Sequence, residues 1–417
     1  MKRVIFFIIV IVMIIIFMGC NTEIPSDDKD TILPGAEISN EAEVKSVPVD
    51  NEPSDDIERP SISASAEEED FYWPTEDFRY STPERHGVDS IMLTEFMKEA
   101  KNSGAISSFI LIRDGYIIAE SYFGSQIMQD IPSQLYSCTK SFTSALFGIA
   151  VKDEKIIDLD AKVLDLFPEK QVQDTGNGKE NITLRHLLTM TAGLDWPINV
   201  VEDLIMDLIH SIDPVQFVLD RPMTDVPGEK FSYNSGASQV IIEYIQKSIG
   251  ADIYQYAEDR LFKPIGILDY TWDKINGKNP MGFSGLKMKA KDMAKFGYLY
   301  LNKGKWEQGQ LLSETWVEES TIEKISDEGF GGQTSAGYGY YWWINSFGGY
   351  SARGMKGQYI IILPEKSLVT VFQGNFLPDD QEIPLILMRD KILPSIVSDN
   401  LIEENIDAYE KLLLYSQ

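Results

Sequence analysis

Three kinds of residue are scarce in this 417-residue chain, and each scarcity removes a class of function. Histidine occurs three times, at His86, His186 and His210, far apart in sequence. With no H-x-H, H-E-x-x-H or Cys/His cluster, a zinc site has no ligand set, and no metal or cofactor is expected. Cysteine occurs twice, as Cys20 and Cys138. If Cys20 is modified, no intramolecular disulfide remains, so the fold must rest on its own core. Basic charge is short as well: 37 Lys and Arg face 65 Asp and Glu, for a net charge of −28. Such a chain is a poor match for nucleic acid, whose binders present Lys and Arg to phosphates. The deficit is uneven. Residues 21–70 hold 16 acidic against 3 basic residues, so much of the acidity belongs to one segment rather than to a site.

Long apolar runs are missing except at the start, "MKRVIFFIIVIVMIIIFMGC". Lys2 and Arg3 precede an unbroken apolar stretch from Val4 to Met18. As a helix this stretch covers roughly 22 Å, short of a roughly 30 Å hydrocarbon core. Residues 1–20 read as a signal peptide. Its end resembles a bacterial lipobox, which implies lipidation of Cys20 and an extracytoplasmic protein anchored to the cell membrane. An uncleaved signal anchor is the alternative. Residues 21–75, rich in Ser, Pro, Asp and Glu, read as a disordered acidic tether, because they offer too little apolar surface to offset ordering entropy. Residues 76–417 remain for one folded domain.

Within that domain the apolar periodicity changes along the chain. "VDSIMLTEFMKEAKNSGA" places Leu93, Phe96, Met97 and Ala100 on one helical face, with Asp89 or Ser90 as N-cap and Gly104 as stop. "SSFILIRDGYIIAESYF" reads as a hairpin about Asp114-Gly115, and "GQYIIILPEKSLVTVFQGN" as a second strand pair. Residues 140–153 read as a buried helix, the stretch to about 320 as mainly helical, and 383–396 as a closing helix. The expected fold class is α+β: an antiparallel sheet completed from both ends of the domain, flanked by helices, with a mainly helical insertion.

No G-x-S-x-G elbow is present, so a serine hydrolase here needs a base other than histidine. Lysine can serve when burial lowers its pKa from about 10.4. Ser-x-x-Lys occurs at Ser26–Lys29, Ser137–Lys140 and Ser284–Lys287. The first lies in the tether. The third precedes lysines alternating with apolar residues, which reads as a helix with a wet basic face. Ser137 and Lys140 open the buried helix, where residues three apart share a face and free N–H groups can receive an oxyanion. Alone, that pattern is equally an N-cap serine followed by a solvated lysine. Tyr233 in "PGEKFSYNSGASQVIIEYI" lies in a polar loop before a helix and could shuttle protons. "GYSARGMKGQYIIILP" is a glycine-containing approach to a buried strand.

Taken in order, Ser137-x-x-Lys140, Tyr233 96 residues later and the C-terminal glycine strand resemble the serine β-lactamase and penicillin-binding-protein superfamily. The class C-like branch, with esterases, D-amino-acid peptidases and 6-aminohexanoate-dimer hydrolases, is most similar. "ITLRHLLTMTAGLDW" and "GLKMKAKDMAKFGYLYLNKGKW" support it. The resemblance implies the β-lactamase/transpeptidase-like fold and a serine hydrolase working through an acyl-enzyme, without cofactor. It makes Ser137 the nucleophile, Lys140 its activator and Tyr233 the proton relay. Backbone N–H groups of Ser137 and Met355 would form the oxyanion hole, and Ser235, Arg353 and Gly354 would face substrate. Two positions depart from the family: Ser235 stands where the Tyr-x-Asn motif has Asn, and Ala352-Arg353-Gly354 replaces Lys-Thr-Gly. The departures point to small ester, amide or peptide substrates. A β-lactamase or D,D-carboxypeptidase, and a non-catalytic penicillin-binding-like sensor, are the competing readings.

Overall fold

The structure, a computed structural model, describes residues 72–123 and 129–415. The expected signal segment, Cys20 and the tether up to residue 71 lie outside the described residues. The expected boundary at 76 falls too late, because residues 72–75 already belong to the packed chain. Tyr72 donates its hydroxyl to Gly115 O at 2.6 Å and accepts from Arg79 N at 2.8 Å. The Trp73 ring lies 5.5 Å from Trp306, whose indole N–H donates to Thr75 Oγ1 at 2.9 Å.

Helix α1 (Ser90–Ser103) starts at Asp89, whose carboxylate accepts from Ile91 N and Met92 N, and stops at left-handed Gly104. Strands β1 (Ile106–Arg113) and β2 (Tyr116–Tyr122) pair antiparallel across Asp114-Gly115. Both turn residues have positive φ, 52° and 91°, which matches the hairpin to the twist of its strands. The chain next forms the buried helix α2 (Thr139–Lys152), the longer helical stretch containing α3 (Ser235–Ile249), and α4 (Ala290–Leu301). Strands β3 (Ser335–Tyr338), β4 (Trp343–Asn345), β5 (Tyr350–Gly354), β6 (Gln358–Leu363) and β7 (Leu368–Gly374) follow. A closing helical segment runs from Ile383 to Ser395 through a π-turn, and α5 (Ile406–Leu413) ends the described chain.

The seven strands form one antiparallel sheet in the order β2-β1-β7-β6-β5-β4-β3. Its hairpin from the domain's start therefore pairs directly with its last strand, as expected. Both faces are covered, and alternate residues divide between two cores. Ile110, Ile112, Ile360, Ile362 and Val371 join the core of α2, α3 and α4. Phe109, Leu111, Ile361 and Phe372 join the core of α1 and the C-terminal helices. On the first face Phe142 of α2 stacks on Phe296 of α4 at 3.7 Å.

The expected wet basic face before and along α4 is corrected in part. Lys287 is half-exposed and pairs with Asp273 at 3.0 Å. Lys295, however, is buried, and its ammonium donates to the carbonyls of Thr75, Glu76 and Gly266 at 2.9–3.2 Å. Residues 72–76 are what cover it, and a helix period cannot foresee a cap from so distant a segment.

Candidate active site

Ser137 lies in a single 3₁₀ turn, Tyr136–Cys138, that runs straight into α2. The turn is entered through Tyr136, a non-glycine residue with φ of 48°, which costs on the order of 1 kcal/mol. A small antiparallel sheet braces it from the other side: Ser133–Gln134 pairs with Leu286–Met288, and Leu135 N donates to Leu286 O at 2.9 Å. That pairing delivers the loop 282–283 to α2. Thr143 Oγ1 donates to Gly282 O at 2.8 Å, and Lys140 Nζ to Phe283 O at 3.2 Å.

Lys140 Nζ also reaches Ser137 Oγ at 3.0 Å. Its side chain is 1% exposed, and burial lowers its pKa to about 7. A lysine so placed holds a substantial fraction of neutral amine near neutral pH, the form that can take a proton from a hydroxyl.

Tyr233 stands across from this pair. Ser232 N donates to Met190 O at 2.8 Å just before it. Just after it, Asn234 caps α3 by accepting from Ala237 N at 3.1 Å. The tyrosine is thus clamped between a loop contact and a helix start. Its phenol interacts with the Ser137 side chain, and its ring lies 4.7 Å from Lys140 Nζ. Burial raises its pKa well above the ordinary tyrosine value, so it is a neutral O–H at physiological pH. Ser137, Lys140 and Tyr233, expected to act together, are therefore brought into one cluster.

Strand β5 supplies the facing wall. Ala352 is fully buried against the α2–α4 core. Gly354 is required by proximity: a Cβ there would lie 2.2 Å from Leu135 O and 3.2 Å from Cys138 Sγ. Met355 and Lys356 follow in the tight turn to β6, with Lys356 Nζ 5.9 Å from the Tyr136 ring. Ser235 is buried in the first turn of α3.

Arg353 corrects an expectation. Rather than facing substrate, its guanidinium donates to Ser351 Oγ, Gly331 O, Thr334 O and Asn345 Oδ1 at 2.9–3.0 Å, with a longer contact to Thr334 Oγ1. All five donors are thereby engaged inside the protein. They pin the loop 327–334, which Asp327 and Glu382 also hold through Gly329 N, Gly331 N and Thr334 N. That loop carries Phe330, which stacks on Tyr233 at 5.4 Å, while Trp343 stacks on Tyr233 at 5.8 Å.

The family model described as Beta-lactamase matches residues 92–386, which contain every one of these groups. The chain belongs to the beta-lactamase family. Among relatives of this family, Monacolin J acid methylbutanoyltransferase of Aspergillus terreus is 26% identical over 214 residues, 44% of this chain. The match spans about half of that transferase, 51% of its length. The 6-aminohexanoate-dimer hydrolase of Paenarthrobacter ureafaciens is 24% identical over 295 residues, 63% of this chain and 71% of the hydrolase. Among solved structures, EstCE1, a hydrolase with promiscuous acyltransferase activity, superposes with a TM-score of 0.59 at 16% identity, over 74% of this chain and 99% of that one. The chain thus has the β-lactamase/transpeptidase fold, as expected from the sequence.

Several residues of this beta-lactamase-family site escape sequence reasoning. Tyr136 carries no mark beyond adjacency to Ser137, since its positive φ belongs to the fold. Phe330 and Trp343 join Tyr233 only because β4 returns beside β3 and β5. A usable signal does exist in "SDEGFGGQTSAGYGYYWW": aromatic residues among glycines, unsuited to a core helix and unusual for a solvated loop.

Proposed function

We propose that the protein is a serine hydrolase that cleaves an ester or small amide through a covalent acyl-enzyme on Ser137. One observation carries this reading: a buried lysine, its pKa lowered to about 7, 3.0 Å from a half-buried serine hydroxyl. Neutral Lys140 takes the proton of Ser137 Oγ as the oxygen attacks the substrate carbonyl. The backbone N–H groups of Ser137 and Met355 receive the developing oxyanion. Tyr233, a neutral phenol, gives a proton to the departing oxygen or nitrogen and is reprotonated from Lys140. Water then attacks the acyl ester and Ser137 recovers its proton. Acyl transfer to an alcohol or amine differs only in the final nucleophile. The transferase relative and EstCE1 support it as a second outcome of the same intermediate.

Ala352 favours esters and small amides over β-lactams. β-Lactam-binding relatives hold a drug carboxylate with a cation at this position, and Arg353 is engaged elsewhere. An unpartnered carboxylate costs about 1–3 kcal/mol or more, enough to lower kcat/KM by about two orders of magnitude. Steady-state kinetics with p-nitrophenyl acetate and a cephalosporin test this: kcat/KM is expected to be higher for the ester. The reverse order would promote the β-lactamase reading. The location proposed for this activity is the outer face of the cell membrane, through lipid on Cys20. Intact mass of membrane-extracted protein tests it, and a retained Met1 would refute it.

A further inference from the structure

Beside Tyr233 lies a cavity of about 430 Å³ with an apolar wall of Trp196, Ile198, Phe231, Tyr233 and Phe330 and a polar one that includes Lys230, Asp327 and Glu328. Ile198 and Phe330 stand at its mouth, 62% and 47% exposed. Large apolar side chains left in water beside Tyr233 are a source of binding free energy. Two of the polar groups in its lining are engaged within the protein, while Glu328 is exposed to water. Lys230 pairs with Asp225 at 3.7 Å, and Asp327 accepts from Gly329 N and Gly331 N. The cavity thus offers an apolar group contact beside the exposed carboxylate of Glu328, which suits a neutral group better than an anionic one.

Its position relative to the reacting atoms decides which part of a substrate it holds. A carbonyl carbon bonded to Ser137 Oγ directs its oxyanion to backbone N–H groups, none of which belongs to the cavity wall. Of its two remaining substituents, the leaving oxygen must lie next to the proton donor. Tyr233 is both that donor and a wall of the cavity, so the chain beyond the leaving oxygen runs past Tyr233 into the aromatic enclosure.

We infer that this cavity is a leaving-group site that selects esters of bulky apolar, preferably aromatic, alcohols. The inference rests on the acyl-enzyme reading of Ser137. In the step it describes, the bond between the carbonyl carbon and the alcohol oxygen breaks as the serine ester forms. The proton lost by Ser137 Oγ ends on the departing alcohol by way of Lys140 and Tyr233. No further reactant is needed. Phe330 is held over the site by a loop that Arg353, Asp327 and Glu382 pin from behind, so the enclosure is in place before substrate arrives.

The test compares three esters on one preparation of the protein: ethyl acetate, 2-phenylethyl acetate and ethyl phenylacetate. The first two share an acyl group and have alcohols of similar acidity, so their ratio isolates the leaving-side contact. The expected kcat/KM ratio of 2-phenylethyl acetate to ethyl acetate is about tenfold or more, as a hydrophobic pocket supplies. Phe330→Ala should cut that ratio several-fold. Ile198→Asn, at an exposed position that the fold tolerates, should cut it as well and serves if Phe330→Ala fails to fold. A ratio near one in the unaltered protein overturns the inference. So does an equal or larger gain for ethyl phenylacetate, which would make the cavity an acyl pocket. Labelling of the same preparation with a fluorophosphonate separates the two levels. A labelled Ser137 with a flat ester series refutes the leaving-group site alone, and an unlabelled Ser137 refutes the acyl-enzyme reading beneath it.

Discussion

Among the described residues Ser-x-x-Lys occurs at Ser137–Lys140 and again at Ser284–Lys287, and the two copies sit in opposite surroundings. Lys140 is buried, meets no carboxylate among the described residues, and spends its donors on Ser137 Oγ and the Phe283 carbonyl. Lys287 is on a short strand, half-exposed and paired with Asp273 at 3.0 Å. Desolvation without a counter-charge lowers a lysine's pKa, as it does at Lys140. The backbone differs too. A helical turn brings residues three apart to one face, while the chain from Ser284 to Lys287 bends, passes through Gly285 with positive φ and enters a strand at Leu286, so no helical turn joins the two side chains. The comparison teaches that four letters specify a nucleophile only when burial and secondary structure convert them into one. The second copy has an indirect part, since the residue before Ser284 supplies the carbonyl that holds Lys140.

The sharpest way to break the contrast is to remove each serine in turn. Ser137→Ala should reduce ester turnover to background, a loss of about 10⁴-fold or more, with stability changed by about 1 kcal/mol at most. Ser284→Ala should leave turnover unchanged. Steady-state kinetics beside thermal melts separate the outcomes, and activity that survives Ser137→Ala but not Ser284→Ala would exchange the two roles.

Next in size are the partners of Ser137. Lys140→Ala and Tyr233→Phe should each lower kcat by about 100-fold or more, and the double variant should lose far less than the product of the two. A Tyr233→Phe protein with full turnover would reduce that tyrosine to a cavity wall.

The pH dependence sharpens the same point. With the Lys140 pKa lowered to about 7, the neutral amine falls about tenfold per unit below it. The kcat/KM for an ester should therefore rise with pH and level off above about 7. A flat profile from about pH 5 to 9 would mean that the lysine does not act as the base.

A smaller effect is expected at Arg353, which touches neither reacting atoms nor the cavity but pins the loop bearing Phe330. Arg353→Ala strands the carbonyls of Gly331 and Thr334, at a cost of about 1–3 kcal/mol of stability. It should raise KM for an aromatic ester more than it lowers kcat, and Arg353→Lys should restore little because the planar fork is lost. Equal losses in kcat for all esters would point to general disruption instead. Smallest of all, Lys287→Ala removes a half-exposed ion pair worth about 0.5 kcal/mol or less and should be silent in turnover.

Much of this was legible from local pattern. The hairpin at Asp114-Gly115, the helix from Ser90 to Gly104 and the face shared by Ser137 and Lys140 are encoded within a few residues, by turn chemistry, capping and helical period. Tyr233 was found only through motif order, since nothing near it in sequence says that it meets Ser137. Long-range pairing hid the rest. Arg353 read as a substrate-facing cation because its acceptors, Gly331, Thr334 and Asn345, come from strands and a loop whose register no local pattern gives. Lys295 read as solvated because its covering segment, residues 75–76, arrives from more than two hundred positions away. Phe330 was invisible for the same reason: only the β3–β4–β5 arrangement sets it on Tyr233.

The most direct test of the contrast between the two serines is to trap the acyl-enzyme and locate it. The protein is quenched in acid within the first turnovers of p-nitrophenyl acetate, or after reaction with a fluorophosphonate, then digested and mapped by mass spectrometry. The expected result is one adduct, on the peptide bearing Ser137, absent from Lys140→Ala under the same exposure and absent from the peptide bearing Ser284. An adduct on Ser284, or stoichiometric turnover with no adduct on Ser137, would contradict the central claim that burial of Lys140 makes Ser137 the nucleophile.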